Sequence, residues 1–372
     1  MFDEIKRNFG FGCMRLPMKG DKVDEKEFCE MIDIYMQNGF NYFDTAHGYI
    51  SGKSETAIRD CLSARYPREK FVLTNKLSDW SFKTQKDIRP LFESQLKLCG
   101  VTYFDFYLMH AQNKKNFEQY KRCNAYETAL ELKKEGKIKH LGMSFHDDAQ
   151  TLDKILTQYP QVEIVQLQFN YLDYDDPAVQ SKMCYDVCLK HGKPVIVMEP
   201  VKGGHLANLP DNAKKYFDEL GDGKSYASYA VRYAASFENV ALVISGMSNL
   251  AQMQDNLSSM KNFVPLSDKE KQAVAKVRAE FRKNNLIPCT ACRYCTDGCP
   301  KKISIPDLFA CMNTKSAYKD WNADYYYGLY TGNGGKASDC IECGKCENAC
   351  PQHLEIRKLL KNTAKEFEML RT

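Results

Sequence analysis

The sequence predicts a parallel (β/α)8 barrel of the TIM type, followed by a second, smaller, mostly helical domain. Three observations predict it. Strand-like and helix-like patterns alternate from residue 8 to about residue 260. No G-x-G-x-x-G occurs in the chain, whereas an open doubly wound sheet would normally carry one after its first strand. Beyond residue 285 the alternation stops and cysteines take over, in two closely spaced runs.

In chain order, short strands are expected near Gly10–Met14 and Asn41–Phe43, then at FVLTNKL (71–77), YFDFYLMH (103–110), HLGMSF (140–145), VEIVQLQFN (162–170), PVIVMEP (194–200) and VALVISG (240–246). These are apolar runs of buried-strand length. Amphipathic helices fall between them. The clearest begins at Asp24, with Glu27 in capping-box spacing, carries Phe28, Met31, Ile32, Tyr35 and Met36 on one face, and ends at Gly39. A second opens at Asp87 and ends near Gly100, and a third passes through Ala129, Leu130 and Leu132 to Gly136. About eight strands, each followed by a helix, make a closed barrel. A last helix, from Ser267 to Lys283, leads into the expected linker, Asn284–Pro288. This divides the chain into a barrel domain, 1–284, and a cysteine-rich domain, 285–372.

In the second domain Cys289, Cys292, Cys295 and Cys299 precede Pro300, and Cys340, Cys343, Cys346 and Cys350 precede Pro351. Both runs read C-x2-C-x2-C-x3-C-P, the bacterial ferredoxin spacing. Three thiolates two residues apart wrap one face of a cubane. The fourth lies too far round to close it and ligates the other cluster. Two [4Fe–4S] clusters are therefore expected, one on Cys289, Cys292, Cys295 and Cys350, the other on Cys340, Cys343, Cys346 and Cys299. Structural zinc usually shows two separated C-x2-C pairs, a poor match to these runs. The helix-like IPDLFACMNT and the aromatic DYYYGLY lie between the runs, so the cluster domain is longer than a minimal ferredoxin.

Composition is ordinary for a globular chain and the net charge is only +4. That argues against a nucleic-acid binder, which would show a basic stripe. No apolar stretch is long enough to span a bilayer, so no membrane role is expected. The start, MFDEIKRNFG, has no signal-peptide pattern. Cys13, Cys29, Cys61, Cys99, Cys123, Cys184, Cys188 and Cys311 are scattered and read as buried free thiols in a reducing cytoplasm.

Barrel active sites form where strands end, and here those ends are polar. Asp44 follows the second strand, Lys76 is near the end of the third, His110 ends the fourth, Ser144 is near the end of the fifth and Gln166 lies in the sixth. The steps Asp44–Lys76, Lys76–His110 and His110–Ser144 are 32, 34 and 34 residues, about one βα unit each, which brings these groups to one rim. Tyr49 lies on the loop after Asp44. A phenol holds its proton to about pH 10. A neighbouring ammonium lowers that value and a carboxylate holds the ammonium in place. Tyr49 is thus the expected proton donor to a carbonyl oxygen, with His110 orienting that oxygen. Taken singly, each residue is more simply a structural ion-pair member, but four in register with the repeat favour the acid–base site.

At these residues the chain resembles an aldo-keto reductase, over about residues 8 to 260. The resemblance is carried by NYFDTAHGYISGKSE (41–55), FVLTNKL (71–77), FDFYLMH (104–110), ELKKEGKIKHLGMSF (131–145) and EPVKGG (199–204). It implies a (β/α)8 barrel that reduces aldehydes and ketones with NADPH, and a catalytic tetrad at Asp44, Tyr49, Lys76 and His110. The whole chain resembles the branch with a C-terminal double-cluster ferredoxin domain. Ser144 and Gln166 match two usual contacts to the nicotinamide amide. Phe145 stands where an Asn is expected, and Met198 replaces the stacking Tyr. Pro200, Lys202, Gly203 and Gly204 fall at cofactor positions in EPVKGG, as do Ser245, Gly246, Gln252, Asp255 and Asn256 in ISGMSNLAQMQDN. The cations that usually grip the 2′-phosphate fall on Gly246 and Gln252, which should weaken any preference for NADPH over NADH.

Hydride transfer moves two electrons, whereas each cluster passes one. Three readings result. The first is a carbonyl oxidoreductase acting on a small molecule with NADP(H) or NAD(H), with two clusters for electron transfer behind it. The second is a ferredoxin- or flavin-coupled reductase with a flavin at the barrel rim and a redox partner protein. The third is a non-catalytic electron carrier or redox sensor using the barrel as scaffold, against which the complete tetrad argues. Tyr171, Trp80 and Phe145 are candidate pocket walls.

Overall fold

In the computed structural model, the structure describes residues 2–176, 179–283, 286–318, 322–332 and 334–368. Asn284 and Asn285, at the expected linker, lie outside them. Eight parallel strands close into a barrel: β1 (Phe9–Gly12), β2 (Tyr42–Asp44), β3 (Val72–Leu77), β4 (Phe104–Gln112), β5 (Ile138–Phe145), β6 (Ile164–Gln168), β7 (Val195–Met198) and β8 (Val240–Gly246). Each pairs with its sequence neighbour, and β1 closes the ring on β8 through Phe11 opposite Ser245 and Gly12 opposite Gly246. Tyr42, Phe106, Leu108, Ile164, Ile196, Leu242 and Ile244 form one buried cluster within the sheet, the filled interior expected of this fold. Gly142 faces that interior. A Cβ there would stand 2.5 Å from Leu108 Cδ2 and 2.7 Å from Ile164 Cγ2.

The helices follow the apolar periodicity. Glu25–Gln37 is capped by Asp24, whose carboxylate accepts the Glu27 N–H at 3.3 Å. The helix expected to open at Asp87 starts two residues earlier, at Gln85, and runs to Cys99. Asp87 accepts the backbone N–H groups of Lys83 and Thr84, each at 2.9 Å. It is the third-position partner in a capping box whose cap is Thr84.

By its internal packing the chain divides into two compact units, Met1–Pro200 with Ser228–Leu266, and Val201–Ala227 with Ser267–Thr372. The first holds the barrel. In the second, Asp211–Asp218 packs on Asp268–Lys283, with Tyr216 Oη and Asn212 Nδ2 donating to the Glu280 carboxylate. Its core gathers Ile303, Ile305, Leu308, Phe309, Ile356, Leu360 and Phe367 around the thiols of Cys295 and Cys346. Helices Ile305–Tyr318, Asn322–Gly332 and Ile356–Glu368 bring most of that apolar surface. Among the described residues no helix is long and apolar enough to cross a membrane.

Candidate active site and thiol cavities

Asp44 closes β2, and Lys76 lies one residue inside the end of β3, the next strand round. Lys76 Nζ donates to Asp44 Oδ1 at 2.5 Å and to the Thr45 carbonyl at 2.9 Å. The two side chains are 0% and 6% exposed. Gln166 Nε2, from β6, donates to Asp44 Oδ2 at 3.0 Å. The Lys76 main chain is fixed as well: its N–H goes to Asn75 Oδ1 at 2.8 Å and its carbonyl accepts Gln95 Nε2 at 2.9 Å. Burial pushes the Lys76 ammonium toward losing its proton, and the Asp44 carboxylate opposes this. A charge this deep needs such a partner.

The Tyr49 ring centroid lies 4.9 Å from Lys76 Nζ, and 5.9 Å from the His110 ring at 72°. Asp44, Lys76 and His110, from the strand ends, and Tyr49, from the loop after β2, therefore stand together. The expected effect of the ammonium on the phenol is not what governs it. Burial above all, with the Asp44 carboxylate next, holds Tyr49 well above its ordinary value, and Arg15 pulls weakly the other way. The Lys76 charge is engaged by Asp44, so Tyr49 rests as a firmly protonated phenol.

His110 lies where β4 slips register between Met109 and Gln112. Ala111 adopts φ 50° there, and its N–H is taken by Ser144 Oγ at 2.8 Å rather than by the ladder. Such irregularities re-aim side chains at barrel rims. Burial first, then the Lys76 charge, pushes the imidazole well below its ordinary value, so it is neutral. Ser78 Oγ stands 2.6 Å from His110 Nδ1. A hydroxyl donating there leaves the ring hydrogen on Nε2. Sequence reasoning missed Ser78. The available signal was its spacing, two residues from Lys76, which on a strand means the same side.

Of the expected pocket walls, Tyr171 and Phe145 are 0% and 2% exposed and belong to the core. Trp80 is 56% exposed, with its ring 5.4 Å from that of His110.

The residues matched to a dinucleotide fall in two groups. In the barrel unit, Ser144 and Gln166 are paired opposite each other on β5 and β6. Met198 ends β7, half-buried, and Pro200 follows it, buried. Ser245 Oγ accepts Asn256 Nδ2 at 3.3 Å, Asp255 is half-buried, and Gln252 Oε1 accepts the Ser248 N–H at 2.8 Å. The space a Gly246 side chain would take borders the Arg15 side chain, at 3.4 Å from its Cβ, and Arg15 also reaches Glu199 at 3.5 Å. Arg15 is a cation the sequence reading did not consider. Lys202, Gly203 and Gly204 belong to the second unit. There Gly203, at φ 63°, lets the Thr290 backbone approach so closely that a Cβ would meet it at 2.7 Å. Next to it a His205 ring nitrogen bonds the Cys289 carbonyl at 2.8 Å.

The thiols line two cavities in the second unit. One is bordered by Cys289, Cys292, Cys295 and Cys350, with Ile305, Phe309 and Ile356 as apolar wall. The other is bordered by Cys299, Cys340, Cys343 and Cys346, with Ile303, Ile305 and Leu360. The fourth thiol of each run thus borders the cavity of the other run. Among the described residues no three His, Cys, Asp or Glu side chains close on a point that would hold one metal ion. Four thiols around an apolar-walled space suit a polynuclear iron–sulfur group, whose ligands are thiolates, better than a single tetrahedral ion held at bonding distance by all four.

Comparison with known proteins agrees with both halves. Residues 8–279 match the aldo/keto reductase family and residues 288–355 match the 4Fe-4S dicluster domain. An uncharacterized oxidoreductase of Schizosaccharomyces pombe is 25% identical over 305 residues, covering 76% of this chain and 93% of that protein. The NADH-specific methylglyoxal reductase of Escherichia coli is 26% identical over 276 residues, covering 62% and 81%. An aldo-keto reductase of Klebsiella pneumoniae, solved in complex with NADPH, superposes with a TM-score of 0.59 at 18% identity, covering 73% and 90%, a likeness of fold. With its closed barrel and a match spanning most of its length, the chain belongs to the aldo/keto reductase family of oxidoreductases and carries a C-terminal 4Fe-4S dicluster domain.

Proposed function

We propose that the chain reduces the carbonyl of a small aldehyde or ketone, or oxidises the corresponding alcohol, with Tyr49 as proton donor and a nicotinamide dinucleotide as hydride source. The observation that carries this is the buried Lys76–Asp44 pair beneath the Tyr49 ring, with a neutral His110 beside it. When bound, a reduced nicotinamide supplies the hydride to the carbonyl carbon. Ser144 and Gln166 are suited to hold its carboxamide: the Ser144 hydroxyl hydrogen can be donated, and Gln166 Oε1 can accept while its Nε2 holds Asp44. His110 Nε2–H orients the carbonyl oxygen. Tyr49 gives that oxygen its phenolic proton as charge develops, and recovers one from solvent after product leaves. The Lys76 ammonium near the ring stabilises the transient phenolate, and Asp44 keeps the ammonium charged.

The crossed thiol sets support two [4Fe–4S] clusters, held by Cys289, Cys292, Cys295 and Cys350 and by Cys340, Cys343, Cys346 and Cys299. We assign the reductase function to residues 1–284 and one-electron transfer to residues 285–372. Tyr49→Phe tests the chemistry. Carbonyl reduction should fall about 10²–10⁴-fold while dinucleotide affinity stays nearly unchanged, because the proton is transferred only in the transition state. Full turnover by this variant on the true substrate would rule the tetrad reading out.

A further inference from the structure

The two thiol cavities differ at their rims, and the difference assigns them different jobs. The first is bordered by one cation, Arg293, and its guanidinium is held bidentate by Asp307 at 2.7 and 2.9 Å. The second is bordered by Lys301 and Lys345, both exposed, and Lys302 lies next in the chain. Among the described residues none of these three side chains makes an ion pair, while the two acids of the adjoining run are engaged. Glu342 is held by Lys361 at 2.9 Å, and Glu347 by Arg357 at 2.7 Å. The same rim carries Ile341, 56% exposed between two cluster-run cysteines, and Cys343, the one run cysteine that is exposed.

We propose that this rim, Ile341 and Cys343 flanked by Lys301, Lys302 and Lys345, is the docking surface for a small acidic one-electron carrier protein. This rests on the cluster assignment. Electron tunnelling falls steeply with distance, so a carrier must dock where a thiolate ligand is least covered, and that is at Cys343. An exposed isoleucine ringed by charge has the make-up of a small transient interface, an apolar centre with a polar rim. The unpaired lysines choose the sign of the partner and speed its encounter. Their alternative use, offsetting the negative charge of the adjacent cluster, does not require them to be unpaired. Arg293 borders the first cavity in the same way and is nevertheless committed to Asp307.

The test measures association rather than turnover. The anaerobic holoprotein, with iron and acid-labile sulfide assayed, is titrated with an oxidised acidic ferredoxin, with a basic cytochrome c as control. Binding of the ferredoxin, weakened about tenfold between 50 and 300 mM salt, is expected. Lys301→Glu with Lys345→Glu should weaken it about tenfold or more at low salt, whereas Lys19→Glu with Lys22→Glu, on the barrel unit, should leave it unchanged. If the reversals cost cluster content, Lys301→Gln with Lys345→Gln and, separately, Ile341→Ala should each weaken binding severalfold with the cluster spectrum intact. Equal loss in the control pair, salt-insensitive binding, preference for the basic protein, self-association through this rim, or tighter binding of a DNA oligonucleotide overturns the proposal. A protein without iron and sulfide overturns the cluster assignment with it.

Discussion

The barrel rim and the thiol cavities solve opposite problems. At the rim the groups are polar and buried, and each is already satisfied by another protein group: the charged Lys76 by Asp44 and Thr45, Asp44 also by Gln166, the neutral His110 by Ser78. In the second unit the thiols border two cavities whose other walls are largely apolar. The first site is preorganised by itself, as electrostatic catalysis requires. The second is complete only with its inorganic content, as in metal-dependent small domains, where binding energy is folding energy.

The sharpest way to break this contrast is to remove the cluster content. Chelation or oxidative loss of iron should strip protection from amide exchange across Ile303–Phe367, while the barrel strands keep theirs. Uniform loss across both units would show that the contrast is false. Within that experiment, Cys299→Ser should damage the cluster of Cys340, Cys343 and Cys346 more than the one nearer in sequence. Selective loss of the nearer one would refute the crossed ligation.

A smaller effect is expected at the rim. Lys76→Met leaves Asp44 buried with Gln166 as its main remaining partner. Breaking one side of a buried pair typically costs 3–5 kcal/mol, and the retained amide contact argues for about 3. For a unit of this size that is a fall of roughly 6–12 °C in the melting temperature of the barrel, with carbonyl reduction lost as well. Restoration by Lys76→Met combined with Asp44→Leu would show that the charge pair serves chemistry rather than stability. If Lys76→Met left the melting temperature unchanged, the pair would not be the buried, mutually dependent unit described here.

How much of this was legible in the sequence differs in the same way. The thiol runs are local, so their spacing alone names the chemistry. The barrel was legible because its strands are continuous apolar runs and the 32- to 34-residue steps keep Asp44, Lys76, His110 and Ser144 in phase with the repeat. What was not legible depends on depth or on contacts far apart in the chain. The resting proton on Tyr49 is set by burial, which a loop tyrosine does not advertise. Ser78 reads as an ordinary polar residue until His110 folds against it. Lys202–Gly204 read as cofactor contacts, yet within the second unit Gly203 packs on Thr290, and His205 bonds a carbonyl 84 residues away. Arg15 lies far in sequence from Gly246 and meets it only because β1 closes the barrel on β8.

That last contact sharpens the smallest predicted effect, the choice of dinucleotide. With Gly246 and Gln252 at the positions where the family resemblance expects phosphate-gripping cations, two charge-assisted contacts are missing, each worth about 1.5–3 kcal/mol. Arg15 borders the vacated space, but its guanidinium also leans toward Glu199 at 3.5 Å, a long contact that a phosphate could displace only in part. The expected outcome is a preference between NADPH and NADH of less than about tenfold, with both bound weakly because Met198 offers no ring to stack on nicotinamide. Removing the competitor, by Glu199→Gln, should move the ratio toward NADPH by about threefold, and Arg15→Ala should move it toward NADH by a similar factor. Fluorescence titration of the three proteins with both dinucleotides reads this out. Strong NADPH selectivity that survives Arg15→Ala would place the phosphate grip elsewhere, and failure of either dinucleotide to bind would turn the rim over to a flavin.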